Sequence, residues 1–282
     1  LLVEVISEPI HIDGQEINSS VSIGIALAPN DGSAADHLMK CADLALYRAK
    51  AEGRGTFRFF EPDMDARIQA RRALEVDLRR ALVAGEFALA YQPQINLAGN
   101  ELIAMEALLR WNHAERGPVP PSEFIPLAEE TGLIVPLGEW VLREACKDAA
   151  QWPSSVRVAV NLSPVQFRNR GLVTMVTQAL AAARLAPNRL ELEITEAVLL
   201  QDDDAIVTML HQLRSLGVRI AMDDFGTGYS SLSYLRSFPF DKIKIDRSFI
   251  KDIERNRDSA VIIKAIAGLG QSLGIETTAE GI

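Results

Sequence analysis

The sequence has few of the residues that hold metal ions through sulfur or imidazole. Only two cysteines occur in 282 residues, Cys41 and Cys146, and no two of the four histidines stand four residues apart. Zinc sites use closely spaced Cys and His ligands, so this composition argues against one. Two widely separated cysteines are typical of a reduced, cytoplasmic protein with buried or incidental thiols.

Long apolar runs and an excess of positive charge are missing as well. No window approaches the roughly 20 apolar residues that span a bilayer, and the N-terminus lacks a basic-then-apolar signal pattern. The net charge of −9 argues against a broad surface for nucleic-acid polymers, because Lys and Arg drive phosphate binding. We therefore expect a cytoplasmic protein without membrane contact from this chain, whose parent can be membrane-anchored through upstream segments.

The composition that is present, 48% hydrophobic and 24% charged, is ordinary for a globular protein. The length suits one large domain and a smaller piece. Changes in pattern divide the chain into a small piece (residues 1–62), a charged helix (63–85) and a large domain (86–282). We interpret the helix as a solvated linker, with a partner-binding role as the alternative.

One stretch organises the large domain. Residues 218–222 form a short apolar run that predicts a buried strand, and Asp223 and Asp224 follow before a Gly-Thr-Gly turn. Adjacent side chains of a strand point to opposite faces, so both acids can reach one place only where the strand frays. Two carboxylates forced together repel unless a cation lies between them. Taken alone, the pattern is more often a solvated turn, so its meaning depends on the rest of the chain.

From residue 87 onward, strand patterns alternate with helix patterns. The predicted strands are 87–92, 102–109, 156–161, 190–194, 218–222, 242–245 and 276–279. The predicted helices are 121–130, 137–151, 171–184, 203–215, 230–236 and 259–273. Such repeats predict an α/β protein with a parallel sheet, and they favour a TIM-like (β/α)8 barrel over an open doubly wound sheet. Because only about seven strands are in view against the eight of a barrel, we expect the last strand and helix to be missing.

Polar side chains recur where the predicted strands end. Parallel strands bring their carboxyl ends to one face of a barrel, where active sites lie. Each side chain alone has a surface or turn-capping interpretation. The recurrence argues against it, because a parallel strand buried on both faces should be apolar throughout. The residues are Glu106, Asn161, Glu193, Asp223, Asp224, Lys244, Asp246 and Glu280.

These side chains select an ion and a reaction class. Oxygen ligands without Cys or His favour Mg²⁺ or Mn²⁺ over Zn²⁺. About six such ligands exceed what one hydrated ion takes from a protein, so we expect two ions that share Asp223. Two-metal sites generate hydroxide and clamp phosphoryl oxygens, so the expected reaction is metal-assisted hydrolysis of a phosphoester.

The N-terminal piece resembles the C-terminal end of the GGDEF (diguanylate cyclase) domain. The resemblance rests on residues 21–26, Val-Ser-Ile-Gly-Ile-Ala, and on residues 42–54, which begin with Ala-Asp and end with Gly-Arg. Family members usually have Asn next, where this sequence has Gly55. The Gly-Gly-Asp-Glu-Phe signature of the family is absent, so we interpret the piece as a partial α+β remnant and expect no cyclase activity.

Residues from about 66 to 282 resemble the EAL-domain phosphodiesterases of bacterial cyclic di-GMP signalling. The name-giving tripeptide is Glu106-Ala107-Leu108, followed by Leu-Arg-Trp. Further matching segments are 91–93 (Tyr-Gln-Pro), 161–163 (Asn-Leu-Ser), 191–196 (Glu-Leu-Glu-Ile-Thr-Glu), 223–232 (Asp-Asp-Phe-Gly-Thr-Gly-Tyr-Ser-Ser-Leu), 244–246 (Lys-Ile-Asp) and 279–281 (Ala-Glu-Gly). So many motifs in one order argue strongly against chance similarity.

The resemblance implies an activity, a ligand and two metal ions. The family hydrolyses one phosphodiester of cyclic di-GMP to the linear dinucleotide pGpG. One metal ion is implied at Glu106, Asn161, Glu193 and Asp223. A second ion is implied at Asp223, Asp224 and Asp246.

The resemblance also implies roles around the metal ions. Lys244 matches the residue that orients the attacking water, and Glu280 matches the general base. Glu196 matches the residue that fixes the loop at 225–229, which contributes to the dimer contact of the family, so a homodimer is expected. Arginine suits a phosphate oxygen because its planar fork donates two bonds. Substrate contacts are implied for Gln92 and Arg110.

Two alternatives stay open at this point. A receptor of the same fold binds cyclic di-GMP without hydrolysing it; such receptors typically lose metal ligands or the base, and none of those positions is altered here. The other alternative is an inactive truncated fragment with an aggregating sheet edge. It follows from the expectation that the last strand, its helix and a Gln that the family uses near the substrate lie beyond Ile282.

Overall fold

The computed structural model describes residues 2–7, 9–12, 15–17, 19–51, 53–169, 171–199, 204–226, 238, 240–251 and 257–281. The chain packs as two units, residues 1–77 and 78–282. Among the described residues, no helix combines the length and the apolar character that crossing a bilayer requires.

The first unit combines short strands with one long helix. β1 and β2 are antiparallel, whereas β3 and β4 are parallel. α2 buries Cys41, Ala45 and Ala49 at helical spacing, so one face of this helix packs inside the unit. It approaches β3 so closely that a Cβ on Gly24 would lie 2.0 Å from Ala42 O. The elements of this unit are α1 (Leu2–Ile6), β1 (Ile10–Ile12), β2 (Gln15–Ile17), β3 (Ile23–Ile25), α2 (Ala35–Ala51) and β4 (Phe57–Phe59).

α3 (Asp63–Ala84) contains the division between the units at residues 77 and 78, and the second unit then alternates strands with helices. Its strands are β5 (Phe87–Asn96), β6 (Glu101–His113), β7 (Gly117–Val119), β8 (Arg157–Leu162), β9 (Leu190–Thr195), β10 (Arg219–Phe225), β11 (Lys242–Ile245) and β12 (Glu276–Ala279). Its helices are α4 (Pro121–Thr131), α5 (Ile134–Ala149), α6 (Pro164–Phe167), α7 (Leu172–Ala183), α8 (Glu196–Leu199), α9 (Asp204–Ser215), α10 (Arg247–Lys251) and α11 (Arg257–Leu273). The seven predicted strands are confirmed, as are the predicted helices except 230–236, which lies outside the described residues.

The strands form one curled sheet in the order β12-β11-β10-β9-β8-β6-β5, with β7 paired to β6. The neighbouring pairs from β6 to β12 along this order are parallel. The expectation of a wholly parallel sheet is wrong at its first strand, because β5 runs antiparallel to β6. Residues 97–100 join these two strands, and a turn of that length cannot hold the crossover helix that a parallel pair requires. The eighth strand of a closed barrel stays a prediction.

The apolar core lies between the sheet and the helices that cover it. Residues such as Val160, Leu192 and Ile243 are buried in one cluster with Leu142 and Val176 of α5 and α7. Successive residues of a strand point to opposite faces of the sheet. The residues that alternate with these core residues along each strand therefore face the interior of the curled sheet. Several of these interior positions carry buried charged side chains, which places polar groups inside the sheet.

Two glycines of α11 test how closely this helix packs on β12. A Cβ on Gly270 would lie 2.4 Å from Thr277 Cγ2 and 3.1 Å from Ile275 O, whereas nothing lies within 4 Å at Gly268. We expect Gly268→Ala to raise the free energy of unfolding by about 0.5–1 kcal/mol, because Ala favours helix. We expect Gly270→Ala to lower it by about 1–2 kcal/mol, because overpacking outweighs that gain. Urea unfolding measures both, and equal stabilisation by the two variants would contradict the close packing.

A second prediction concerns the buried thiol of Cys146. Burial raises the pKa of this thiol to about 12. The folded state therefore retains the proton longer, so the associated stability is complete below the unfolded pKa of about 8.5 and is lost as pH rises toward 12. Because the thiolate is the nucleophile, we expect Cys146 to react with Ellman's reagent at pH 8 more than about 100-fold more slowly in the native than in the unfolded protein. A Cys41→Ser variant isolates the signal, and prompt native reaction would contradict the burial.

Candidate active site

A bulge in β10 places Asp223 and Asp224 side by side. The register against β11 shifts between Met222 and Phe225, so both aspartates lie opposite Lys244. Asp224 adopts a φ of 53°, a left-handed conformation that Asp tolerates better than most residues, and its N–H donates to Asp223 Oδ1 at 3.0 Å. The strand predicted to fray at these residues instead continues to Phe225 with a bulge, which lets adjacent carboxylates approach one another.

The ammonium group of Lys244 is surrounded by carboxylates from three strands and from the residue that follows β12. The side chain is almost fully buried, so these contacts replace its hydration. The distances from Nζ are 2.7 Å to Glu193 Oε2, 2.7 Å to Glu280 Oε1, 3.2 Å to Asp223 Oδ1 and 3.3 Å to Glu106 Oε2. Acids that are far apart in the sequence are therefore brought together, as the strand pattern predicted.

Glu106 is joined to this group in a way that the sequence pattern did not indicate. The expectation that it ends its strand is wrong, because β6 continues to His113, where its second half pairs with β7. Its parallel pairing with β8 nevertheless ends at Ala107, so Glu106 still lies at the carboxyl edge of the parallel sheet. Asn161 Nδ2 donates to Glu106 Oε1 at 2.8 Å, which adds the predicted amide to the cluster.

Asp224 and Asp246 form the exposed side of the cluster. Burial and the neighbouring charges of Asp223 and Asp246 raise the pKa of Asp224, and a hydrogen bond between the Asp224 and Asp246 carboxyls raises it further. Hydrogen bonds from Ser248, including its N–H at 2.9 Å from Oδ1, lower the pKa of Asp246. The two carboxyl groups therefore lie within hydrogen-bonding reach of each other.

The buried side of the cluster holds more negative charge than Lys244 balances. Burial and the charges of Glu106 and Asp223 raise the pKa of Glu193 well above its usual value, against the attraction of Lys244. Burial likewise raises the pKa of Glu280. Burial alone would lower the pKa of Lys244, but the surrounding carboxylates outweigh it and raise that pKa. Strongly shifted pKa values of this kind are concentrated at functional sites in proteins.

The donor set suits a hard divalent cation. Asp223, Asp224 and Glu280 each offer a carboxylate oxygen, and these atoms lie within 4.8 Å of one another. Carboxylate and amide oxygens are the ligands that Mg²⁺, Mn²⁺ and Ca²⁺ prefer. The structure therefore contains an acidic cluster that can bind a metal ion, while the number and identity of the ions stay predictions.

A cleft of about 1290 Å³ opens beside the cluster. Small-molecule sites commonly measure about 300–1,000 Å³, so this cleft has room for a dinucleotide. Its lining includes the predicted site residues Gln92, Glu106, Asp224, Lys244, Asp246 and Glu280.

Two further predicted residues lie around the cluster rather than in it. Arg110 follows Glu106 on β6, and its Nη1 donates to the carbonyl oxygen of Leu109 at 3.0 Å, so the structure does not bring it to the acids. Glu196 Oε1 accepts the N–H of Gly226 at 2.9 Å, which ties the start of the predicted loop to α8. Residues 227–229 of that loop lie outside the described residues.

Sequence reasoning missed a second charged group deeper inside the sheet. Lys242 contacts Glu191 and donates to Gln94 Oε1 at 2.8 Å, and Arg219 Nε donates to Glu191 at 3.2 Å. Glu191 stands two residues before Glu193 on the same strand. The strand period of two places such pairs on one face, and that spacing is the signal that could have found the group.

Comparison with known families decides where the chain belongs. Residues 75–282 match the family model described as "EAL domain". The chain belongs to the EAL domain family. Residues 1–56 match the model described as "Diguanylate cyclase, GGDEF domain". Both resemblances that the sequence motifs indicated are confirmed, and the TIM-like fold of the EAL domain agrees with the curled sheet.

Relatives of this EAL chain include proteins with assigned activities. An "Uncharacterized signaling protein" of Caulobacter vibrioides is 52% identical over the whole chain, which covers 35% of that protein. "Bifunctional diguanylate cyclase/cyclic di-GMP phosphodiesterase MucR" of Pseudomonas aeruginosa is 46% identical, and the chain covers 42% of it. The solved "PaMucR Phosphodiesterase, c-di-GMP complex" is 46% identical with a TM-score of 0.72, over 74% of this chain and 87% of that one. The chain thus spans less than half the length of these curated relatives.

The charge balance of the cluster predicts a stability change at Lys244. Lys244→Met keeps most of the side-chain volume but leaves buried carboxylates without their cation. Without divalent metal, we expect the free energy of unfolding to fall by about 3 kcal/mol or more. Lys251→Met, on an exposed position of α10, removes the same charge and should change it by less than about 0.5 kcal/mol. Urea unfolding with a chelator measures both, and similar small losses would contradict the buried charge cluster.

Proposed function

We propose that this EAL domain hydrolyses cyclic di-GMP to linear pGpG. The observation that carries the proposal is the convergence of acids from separate strands around Lys244, at the edge of a cleft of about 1290 Å³. Relatives support the substrate, because MucR is named a cyclic di-GMP phosphodiesterase and the similar solved structure is a complex with cyclic di-GMP.

The proposed cofactors are two divalent ions, Mg²⁺ or Mn²⁺. When bound, such ions polarise phosphoryl oxygens and lower the pKa of water, so that hydroxide is available at neutral pH. The oxygen-rich donor set of the cluster supports this choice. The proposed ligands of the first ion are Glu106, Asn161, Glu193 and Asp223. The proposed ligands of the second ion are Asp223, Asp224 and Asp246.

Lys244 and Glu280 are proposed to control the attacking water and its proton. Lys244 Nζ holds Glu280 Oε1 at 2.7 Å, which orients the carboxylate. Burial raises the pKa of Glu280, so its carboxylate is a stronger proton acceptor than a solvated glutamate and suits the role of general base. Lys244 is fixed by three further carboxylates, so its N–H groups have defined directions for orienting water.

Gln92 and Arg110 are proposed as substrate contacts. Gln92 lies on β5 opposite Glu106 and lines the cleft, where its amide can both donate and accept. Arg110 shares a face of β6 with Glu106, four residues away. Its guanidinium would exchange the Leu109 carbonyl for a phosphate oxygen, which it can bind with two hydrogen bonds.

The division of the chain and its assembly are proposals as well. We assign residues 1–62 to a GGDEF remnant, 63–85 to a linker helix with the start of the EAL domain, and 86–282 to the phosphodiesterase domain. A homodimer is proposed through the loop that begins at Phe225. The hydrogen bond from Gly226 to Glu196 supports a fixed start of that loop.

A pair of substitutions on one strand tests the proposed function. Glu106→Gln removes a proposed metal ligand, whereas Glu101→Gln changes an exposed acid at the start of the same strand. We expect Glu106→Gln to lower turnover of cyclic di-GMP by about a hundredfold or more, because it removes one preorganised electrostatic group. Glu101→Gln should keep parental turnover. Chromatography of cyclic di-GMP and pGpG, with Mn²⁺ or with chelator, measures both.

Three results would contradict the proposal. Turnover that persists in chelator would contradict the role of the metal ions. Parental turnover in Glu106→Gln would contradict the assignment of the site. Tight binding of cyclic di-GMP by calorimetry, without any pGpG, would favour the receptor alternative.

A further inference from the structure

A buried glutamine connects the acidic cluster to the charged group beneath it. Gln94, on β5, is 8% exposed. Its Nε2 donates to Glu193 Oε1 in a long hydrogen bond of 3.4 Å, and its Oε1 accepts from Lys242 Nζ at 2.8 Å. β5 is adjacent to neither β9 nor β11 in the sheet order, so these contacts cross the interior of the curled sheet.

The two neighbours of Gln94 fix the orientation of its amide. An ammonium group only donates hydrogen bonds, and an ionised carboxylate only accepts them. The amide must therefore turn its oxygen to Lys242 and its NH₂ group to Glu193. A flipped amide would lose both bonds and place like polarities together, so one orientation is strongly preferred.

Lys242 is itself held in place and can act as an anchor. It is fully buried and contacts Glu191, which also accepts a hydrogen bond from Arg219 at 3.2 Å. Arg219 in turn lies 3.0 Å from Glu276 of β12. A buried ammonium with these partners has little freedom, so the oxygen of Gln94 meets a fixed donor.

We propose that Gln94 is a positioning residue for Glu193. Anchored by Lys242, its amide holds Glu193 Oε1, so that Oε2 faces Lys244 at 2.7 Å and the acids of the neighbouring strands. The proposal rests on the proposed function in so far as Glu193 binds a metal ion. Partners that hydrogen-bond a metal ligand from outside orient it, and their loss typically lowers metal affinity or activity by about 10–100-fold.

Two variants separate positioning from packing. Gln94→Glu keeps an acceptor for Lys242 but replaces the donor to Glu193 with a repelling oxygen. Gln94→Met conserves the volume and removes both hydrogen bonds. If Gln94 positions Glu193, both variants should raise the Kd for Mn²⁺ by about 10-fold in calorimetry. At saturating Mn²⁺, the KM for cyclic di-GMP should stay within about twofold of the parent, since loss of uniform substrate binding is what raises KM.

A matched control shows whether added charge alone has an effect. Gln212→Glu makes the same chemical change at an exposed position of α9 and should leave the Kd for Mn²⁺ unchanged. If Gln94→Glu does not fold, as judged by circular dichroism, Gln94→Met decides by the same measurements. Parental Kd values in the folded Gln94 variants would overturn the proposal.

A metal-free readout keeps the inference separate from the proposed function. A crystal structure of Gln94→Met without metal should show the Glu193 carboxylate turned away from its parental direction. If the parent binds no Mn²⁺ and yields no pGpG, the proposed function fails, and this structure alone decides the positioning role. An unchanged Glu193 conformation would overturn it in either case.

Discussion

The site depends on one ammonium group that is buried among carboxylates. Four carboxyl groups lie within 3.3 Å of Lys244 Nζ, those of Glu106, Glu193, Asp223 and Glu280. With all four ionised, the group of five side chains carries a net charge of −3. Charges in so little water interact strongly and are screened only weakly by salt. Burial, together with the charges of the neighbouring acids, raises the pKa values of Glu193 and Glu280, so proton uptake is one way to relieve the surplus. A divalent cation is the other way, and it leaves the carboxylates ionised.

The deeper charged group shows that burial by itself does not produce this surplus. Glu191 and Glu193 are two residues apart on one face of β9, and both are almost completely buried. Burial alone would raise the pKa of each, yet that of Glu191 is lowered, because Lys242 and two arginines lie near it. The pKa of Glu193 is raised, because burial and the charges of Glu106 and Asp223 outweigh the attraction of Lys244. The negative charge of the inner group is thus balanced by its own cationic side chains, as in structural ion pairs. The outer group faces the cleft with an excess of negative charge, as binding sites often do.

Much of this arrangement could be predicted from the sequence, since it follows from periodicity. The apolar runs located the strands, and parallel strands necessarily bring their carboxyl ends to one edge, so Glu193, Asp223 and Lys244 were found together. The predictions that were wrong concerned features that depend on strand pairing rather than on the hydrophobic pattern of the sequence. The reversed direction of β5 follows from a short turn that resembles any other loop. Glu106 lies within a strand that is extended by its pairing with β7. Gln94 had no signal of its own, because its importance arises from Lys242 and Glu193, which approach it across the sheet.

The bulge at Asp223 and Asp224 links the backbone to the charge argument. A left-handed φ at a residue other than glycine costs about 1 kcal/mol, and here the cost brings two carboxylates together that repel each other. A regular strand would have placed Asp224 on the opposite face and avoided both penalties. Backbone strain of this kind persists where the surroundings enforce it, and it is concentrated at functional sites. The Gly226 hydrogen bond to Glu196 supplies part of that enforcement. This arrangement is unfavourable in both its backbone and its charge, and a cation between the two acids would offset that cost, so the bulge supports a metal site independently of any motif.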